Sequence, residues 1–140
     1  MIYSHTIQFD TRGNADMVDI TDRVCRIVAQ SDVHNGSAVI FTPSATSSLT
    51  TIEYESGALE DLKEMLDRLA PADAVYHHNA RWGDFNGHAH LRAALLGPSL
   101  AVPIHAGRLT LGTWQQILFI DFDNRPRQRE IFVQIQGEPA

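Results

Sequence analysis

Five side chains able to hold a metal or move a proton crowd the middle of the sequence: His77, His78, Asp84, His88 and His90. Imidazole and carboxylate are ligands of zinc and other divalent ions, and a catalytic ion takes about three from the protein, leaving one position open. The same groups serve as general acids and bases near neutral pH. Their spacing lacks a tight local signature such as two His at i and i+4. The residues alone therefore leave two readings open: a metal or catalytic centre, and solvated loop histidines with one satisfied core imidazole. Gly83-Asp84-Phe85-Asn86-Gly87 is first of all turn chemistry, because Asn, Asp and Gly tolerate left-handed backbone. Such turns would also hold the Asp84 carboxylate and the Asn86 amide toward a pocket.

Two further groups are suited to anions. Pro43-Ser44-Ala45-Thr46-Ser47-Ser48 offers hydroxyls and amides where a strand breaks, an arrangement that holds phosphate or carboxylate or simply forms a turn. Arg125, Arg127 and Arg129 fall at i, i+2 and i+4, one face of a strand. Guanidinium forms bidentate pairs with phosphate, and equally with the neighbouring Asp121 and Asp123 or with another subunit. Glu53 lies in an apolar segment, so it either faces water or has a partner.

The elements that must position these groups are legible in outline. Strands are expected over Ile2 to Phe9, Met17 to Ile20, Ser37 to Thr42, Leu49 to Tyr54, Leu100 to Ile104, Gln115 to Phe122 and Ile131 to Gln136. Gln115 to Phe122 is apolar on both faces, as in a covered central strand, whereas Ile131 to Gln136 alternates and should have one wet face. Helices are expected from Thr21 or Asp22 to Ser31, from Ala58 to Leu69 and from His88 to Leu96, with a loop between Tyr76 and Gly87 and a turn at Asn35-Gly36. Many short strands with two or three helices argue for one α+β domain, residues 1–140, built on antiparallel sheets.

Composition narrows the function. With 140 residues, 44% hydrophobic and 20% charged, the chain is neither a disordered tail nor a fibre. A net charge of −6 opposes nucleic acid and anionic bilayers at long range, so neither is expected as a partner. Basic character resides almost wholly in arginine, since Lys63 is the one lysine. A single cysteine, Cys25, no basic leader and no long apolar run give a cytoplasmic expectation.

Gly107-Arg108-Leu109-Thr110-Leu111-Gly112-Thr113-Trp114-Gln115-Gln116 preceded by Ser99 to Pro103, Thr42 to Thr46 with Ile52-Glu53, Tyr76-His77-His78-Asn79, Asn86 to Leu91, and Asp123 to Arg129 form a set of motifs in a fixed order. Taken together, they resemble the YjbQ-like family, also called the secondary thiamine-phosphate synthase family. The resemblance implies a two-layer antiparallel β-sandwich, jelly-roll-like, in a homo-oligomer, with a trimer favoured. It implies an enzyme that joins a pyrimidine diphosphate to a thiazole phosphate with a divalent metal, zinc or magnesium. On that resemblance His78 and His90 are metal ligands, completed by His88 or Asp84, with Glu53 and Asp84 as catalytic carboxylates. Ser44, Thr46, Asn86, Arg127 and Arg129 are then the substrate-binding groups, the arginines gripping a second phosphate. Many members carry His-Thr-Thr where this chain has Ser44-Ala45-Thr46, so a third histidine is not supplied there.

Overall fold

The computed structural model describes residues 1–140 as two antiparallel sheets and four helices. The larger sheet contains β1 (Ile2–Thr11), β8 (Arg127–Pro139), β3 (Val33–Phe41), β5 (Ser99–His105) and β6 (Arg108–Leu109), in that order. The smaller contains β2 (Asp16–Asp19), β7 (Gln116–Asp121) and β4 (Ser47–Ile52). Helix α1 (Thr21–Ser31) touches β1, β3, β6, β7 and β8, so the larger sheet curls around it as a half-barrel.

The expected two-faced strand is β7. Ile117 and Phe119 pack with α1 and the larger sheet, while Leu118, Ile120 and Phe122 face the second core, made with α2 (Ser56–Leu69) and α4 (Gly87–Leu96). All five are essentially inaccessible, and burying each such side chain contributes roughly 1.5–3 kcal/mol. Phe119 also meets the Phe9 ring edge-on at 5.2 Å. The facing sheets are thus backed by a third, helical layer. In β8, Ile131, Val133 and Ile135 are buried and alternate with residues on the wet face, as the pattern requires.

Helix α1 buries Val24, Ile27, Val28 and Ser31, one stripe at i, i+3, i+4 and i+7. Its start differs from expectation: Ile20 occupies the cap position, and Asp19 Oδ1 accepts from the Thr21 N–H at 2.9 Å and hydroxyl at 2.6 Å. Helix α2 begins two residues earlier than expected because Glu55 caps it, accepting from the Gly57 and Ala58 N–H groups at 2.8 Å each. Cys25 is exposed on α1. No helix is long and apolar enough to cross a membrane.

Two expectations are corrected. The helix count is four, because residues expected as a loop form α3 (His77–Trp82). Asn35-Gly36 is no turn but lies inside β3, beside a bulge at Val33/Asn35. Gly36 sits opposite Gly137, where the β3 and β8 backbones approach so closely that any Cβ would strike the Gln136 carbonyl. Gly36→Ala is expected to cost about 1–3 kcal/mol by overpacking, read as a lowered urea midpoint; an unchanged midpoint would show that the strands can separate freely here.

Candidate functional site

The histidine pair is assembled by a helical corner. Tyr76 leads into α3 and donates its hydroxyl to the Pro71 carbonyl at 2.7 Å. Asn79 Oδ1 accepts from the Gly87 N–H at 2.9 Å, tying α3 to the first turn of α4. Gly87 is required at that contact, since a Cβ there would lie 2.8 Å from the Tyr76 Cβ. Gly83 closes α3 with φ +72°, donating its N–H to the Asn79 carbonyl. Six residues are too few for an apolar stripe, which is why periodicity missed this helix.

This corner stacks His78 on His90 with ring centroids 4.3 Å apart, tilted by 39°. Asp84 Oδ1 lies 3.7 Å from His78 Nδ1, too far for a hydrogen bond, and that nitrogen is buried without a partner. Burial, and then the adjacent His78, hold the His90 pKa below the ordinary histidine value, so its neutral form is favoured. His90 borders a cleft of about 270 Å³ lined also by Ser44, Ala45, Ser47, Ala93 and Pro98.

Below the cleft lies a buried ionic network. Arg129 donates Nε to Asp121 Oδ2 at 2.7 Å and Nη2 to Asp121 Oδ1 at 2.8 Å. Its remaining bonds reach Ser44 Oγ and Thr46 Oγ1, each at 2.9 Å. Arg127 pairs with Asp123 Oδ2 at 2.7 Å, and Thr11 donates its hydroxyl to Asp121 at 2.6 Å. Asp121 and Asp123 are 0% and 1% exposed, so these arginines balance charges that would otherwise be prohibitive to bury. Burial works to raise the Asp123 pKa, but the Asn124 N–H, the Asn86 amide and Arg127 outweigh it and hold the carboxyl below its usual range.

The expected site residues therefore separate. His78, His90 and Asp84 are brought together, with Ser44 on the same cleft. Arg127 and Arg129 are committed to Asp123 and Asp121, and Arg129 serves to position Ser44 and Thr46 rather than to reach solvent. Asn86 is 5% exposed and donates Nδ2 to Asp123 Oδ1 at 3.2 Å, so its amide ties down the network. His88 is also 5% exposed; two residues from His90 on α4, it points to the other side, toward Arg92 and Asp123. Glu53 is exposed one residue beyond the end of β4 that pairs with Gln116, whereas Ser47 pairs with Asp121 at the opposite end. That separates Glu53 from Ser47 by about 20 Å along the strand, so within one chain it does not join the histidines. Arg125 precedes β8 and is exposed, so the three arginines do not form one row. Thr11 was not singled out by the sequence; its type is common in strands, and only the tertiary contact to Asp121 distinguishes it.

No three His, Cys, Asp or Glu side chains are disposed as ligands of one ion.

His88 has a second consequence. Burial, followed by Arg92, lowers its pKa, as burial does for His90. Below about pH 6.5 the unfolded chain therefore binds more protons than the folded one, and stability falls as pH drops from there. Asp123 acts in a separate window: its contribution is complete above about pH 4 and is lost as acid passes through its lowered folded pKa. His88→Gln is expected to make the first slope shallower, His90 supplying the remainder, and to leave the second, in urea midpoints measured between about pH 3 and 8; an unaltered upper slope would contradict this.

A curled antiparallel sheet, a helical corner and a stacked histidine pair, with His90 bordering a small hydroxyl-lined cleft, define the class: an α+β protein with antiparallel sheets and four helices. The chain belongs to the UPF0047 protein YjbQ-like family, which it matches over residues 5–138. It is 39% identical over 138 residues to a UPF0047 protein of Methanothermobacter thermautotrophicus, covering 99% of this chain and 94% of that one. A UPF0047 protein of Archaeoglobus fulgidus is 43% identical over 123 residues, covering 88% and 93%. Among solved structures, a protein of unknown function from Sulfolobus solfataricus superposes with a TM-score of 0.89 at 32% identity, covering 99% of this chain and 100% of the other. An uncharacterised conserved protein of this family from Clostridium acetobutylicum gives 0.83 at 34%, covering 93% and 99%.

Proposed function

We propose that this protein is an enzyme that uses the His78 and His90 pair on a small phosphorylated substrate, in a transfer of the thiamine-phosphate synthase type. The observation that carries the reading is the pair itself, two imidazoles stacked at 4.3 Å with a 39° tilt, His78 with a buried unpartnered nitrogen and His90, its neutral form favoured, bordering a cleft. In this reaction the thiazole nitrogen attacks the pyrimidine methylene carbon, the carbon–oxygen bond breaks, and diphosphate departs with the bonding pair. His78 and His90 supply N–H donors where charge develops on the departing oxygens. The Ser44 hydroxyl, held by Arg129, borders the same cleft and orients a phosphate. Arg127, paired with Asp123 through Nε and Nη2 and partly exposed, has Nη1 to offer a second phosphate. Magnesium enters as part of the diphosphate substrate, with Asp84 as the protein carboxylate, because that ion is commonly bound through one or two carboxylates plus substrate phosphates.

The reaction is placed in the cytoplasm, in a homo-oligomer, with a trimer favoured and with neither nucleic acid nor membrane as a partner. Exposed Val39, Phe41 and Phe132 on the outer face of the larger sheet support self-association. The jelly-roll-like description of the two sheets belongs to the same proposal. A second reading, a noncatalytic oligomer that binds a metal or an anion, is favoured by the missing third ligand. Assaying thiamine phosphate formation from the pyrimidine diphosphate and thiazole phosphate, with magnesium and with chelator, separates the two. Product that depends on magnesium supports the enzyme; substrate binding without turnover supports the second reading.

A further inference from the structure

Of the ten arginines, Arg12, Arg92, Arg127 and Arg129 pair with carboxylates inside the chain. Arg23 and Arg26 do not, although the protein carries seventeen acidic residues. They lie at i and i+3 on α1, where side chains share a face, and both line one cleft of about 330 Å³ between α1 and β1. His5, Thr6, Gln8 and Gln30 complete its polar wall.

Both guanidinium groups are held in place without being used up. The Arg23 Cζ lies 5.2 Å from the centroid of the Phe9 ring, a cation–π contact that leaves its N–H edge free. Arg26 spends only Nε, on the Asp22 carbonyl at 3.4 Å, so its two terminal nitrogens are available. Across the cleft β1 is the edge strand of the larger sheet, and its N–H groups on the side away from β8 have no strand partner. Two pre-positioned guanidiniums, an imidazole, a hydroxyl and side-chain amides form a donor-rich concavity on a protein of net charge −6. A volume near 300 Å³ is at the small end of ligand sites.

We propose that the α1/β1 cleft is a binding site for a small phosphate monoester, with Arg23 and Arg26 gripping the phosphoryl oxygens. Paired arginines match the planar, bidentate demands of a phosphoryl group. The site lies on α1 and the larger sheet, apart from the histidine pair on α3 and α4.

Titrating isotope-labelled protein with inorganic phosphate and following amide and arginine Nε–H resonances tests it. Saturable shifts are expected at Thr6, Arg23 and Arg26, with affinity falling about tenfold in Arg23→Gln or Arg26→Gln, the loss of one charge-assisted bond pair. Glutamine keeps helix propensity at these exposed positions, so α1 remains folded. His78→Ala is expected to leave the shifts intact. Linear, non-saturating shifts, equal shifts with chloride at matched ionic strength, or affinity unchanged in Arg26→Gln would each overturn the assignment.

Discussion

Replacing Asp121 with alanine is expected to destabilise the protein by about 3–5 kcal/mol, because removing one partner of a buried ion pair strands the other charge. Arg129 is then left with Nε unpaired and without its carboxylate at 12% side-chain exposure, Nη2 keeping only Thr46 Oγ1, and the Asp123 N–H loses its acceptor. In a domain of this size the melting midpoint should fall by roughly 10–20 °C. The double variant Asp121→Ala, Arg129→Met should be less destabilised than the sum of the two single changes, since removing both charges removes the desolvation cost as well. Thermal melts of the three variants decide the matter. Additive losses below about 1 kcal/mol each would mean that the pair behaves as an ordinary surface contact. The network also fixes Ser44 and Thr46 through Arg129, so it links the stability of β7 to the floor of the cleft.

The second large effect is on catalysis. His78→Ala and His90→Ala are each expected to lower kcat by about 10²–10³, the range typical of a removed donor to developing negative charge, with melting midpoints near wild type because both rings reach the surface. The two losses should be far from additive if the rings act as one unit. Asp84→Asn leaves the histidines in place and should mainly raise KM for the magnesium diphosphate, since its carboxylate sits at the rim with 53% side-chain exposure. Steady-state kinetics on the three variants, beside a His77→Ala control on the exposed neighbour, test this. Full activity in His90→Ala would eliminate the proposed centre.

Legibility in the sequence followed local physics. The period-two alternation in β8, the two-faced apolar run of β7 and the i, i+3, i+4 stripe of α1 each reflect burial of a whole face, and burial is recorded in residue type. The grouping of His77, His78, Asp84, His88 and His90 around one short segment was also visible, although His88 then turns away from the stacked pair. By contrast, α3 was read as a loop and Asn35-Gly36 as a turn. In the first case six residues carry too little pattern; in the second, Gly36 reports a close approach to Gly137, a residue a hundred positions away in order of magnitude.

The opposite fates of His88 and His90 show the same division. Their types are identical and they are two residues apart, yet helical geometry turns one toward Arg92 and Asp123 and the other toward His78. Glu53 failed to reach the histidines because β4 carries it to the far end of the pairing with β7. By itself the sequence determined an α+β domain with antiparallel sheets, the chemistry available to it and the segment holding the histidines, since composition and periodicity encode burial. Only the tertiary structure decided which groups meet, because ion pairs such as Arg129 with Asp121, the hydroxyl bonds to Ser44 and Thr46, and the stack of His78 on His90 depend on strand register and helix crossing, which no local pattern specifies.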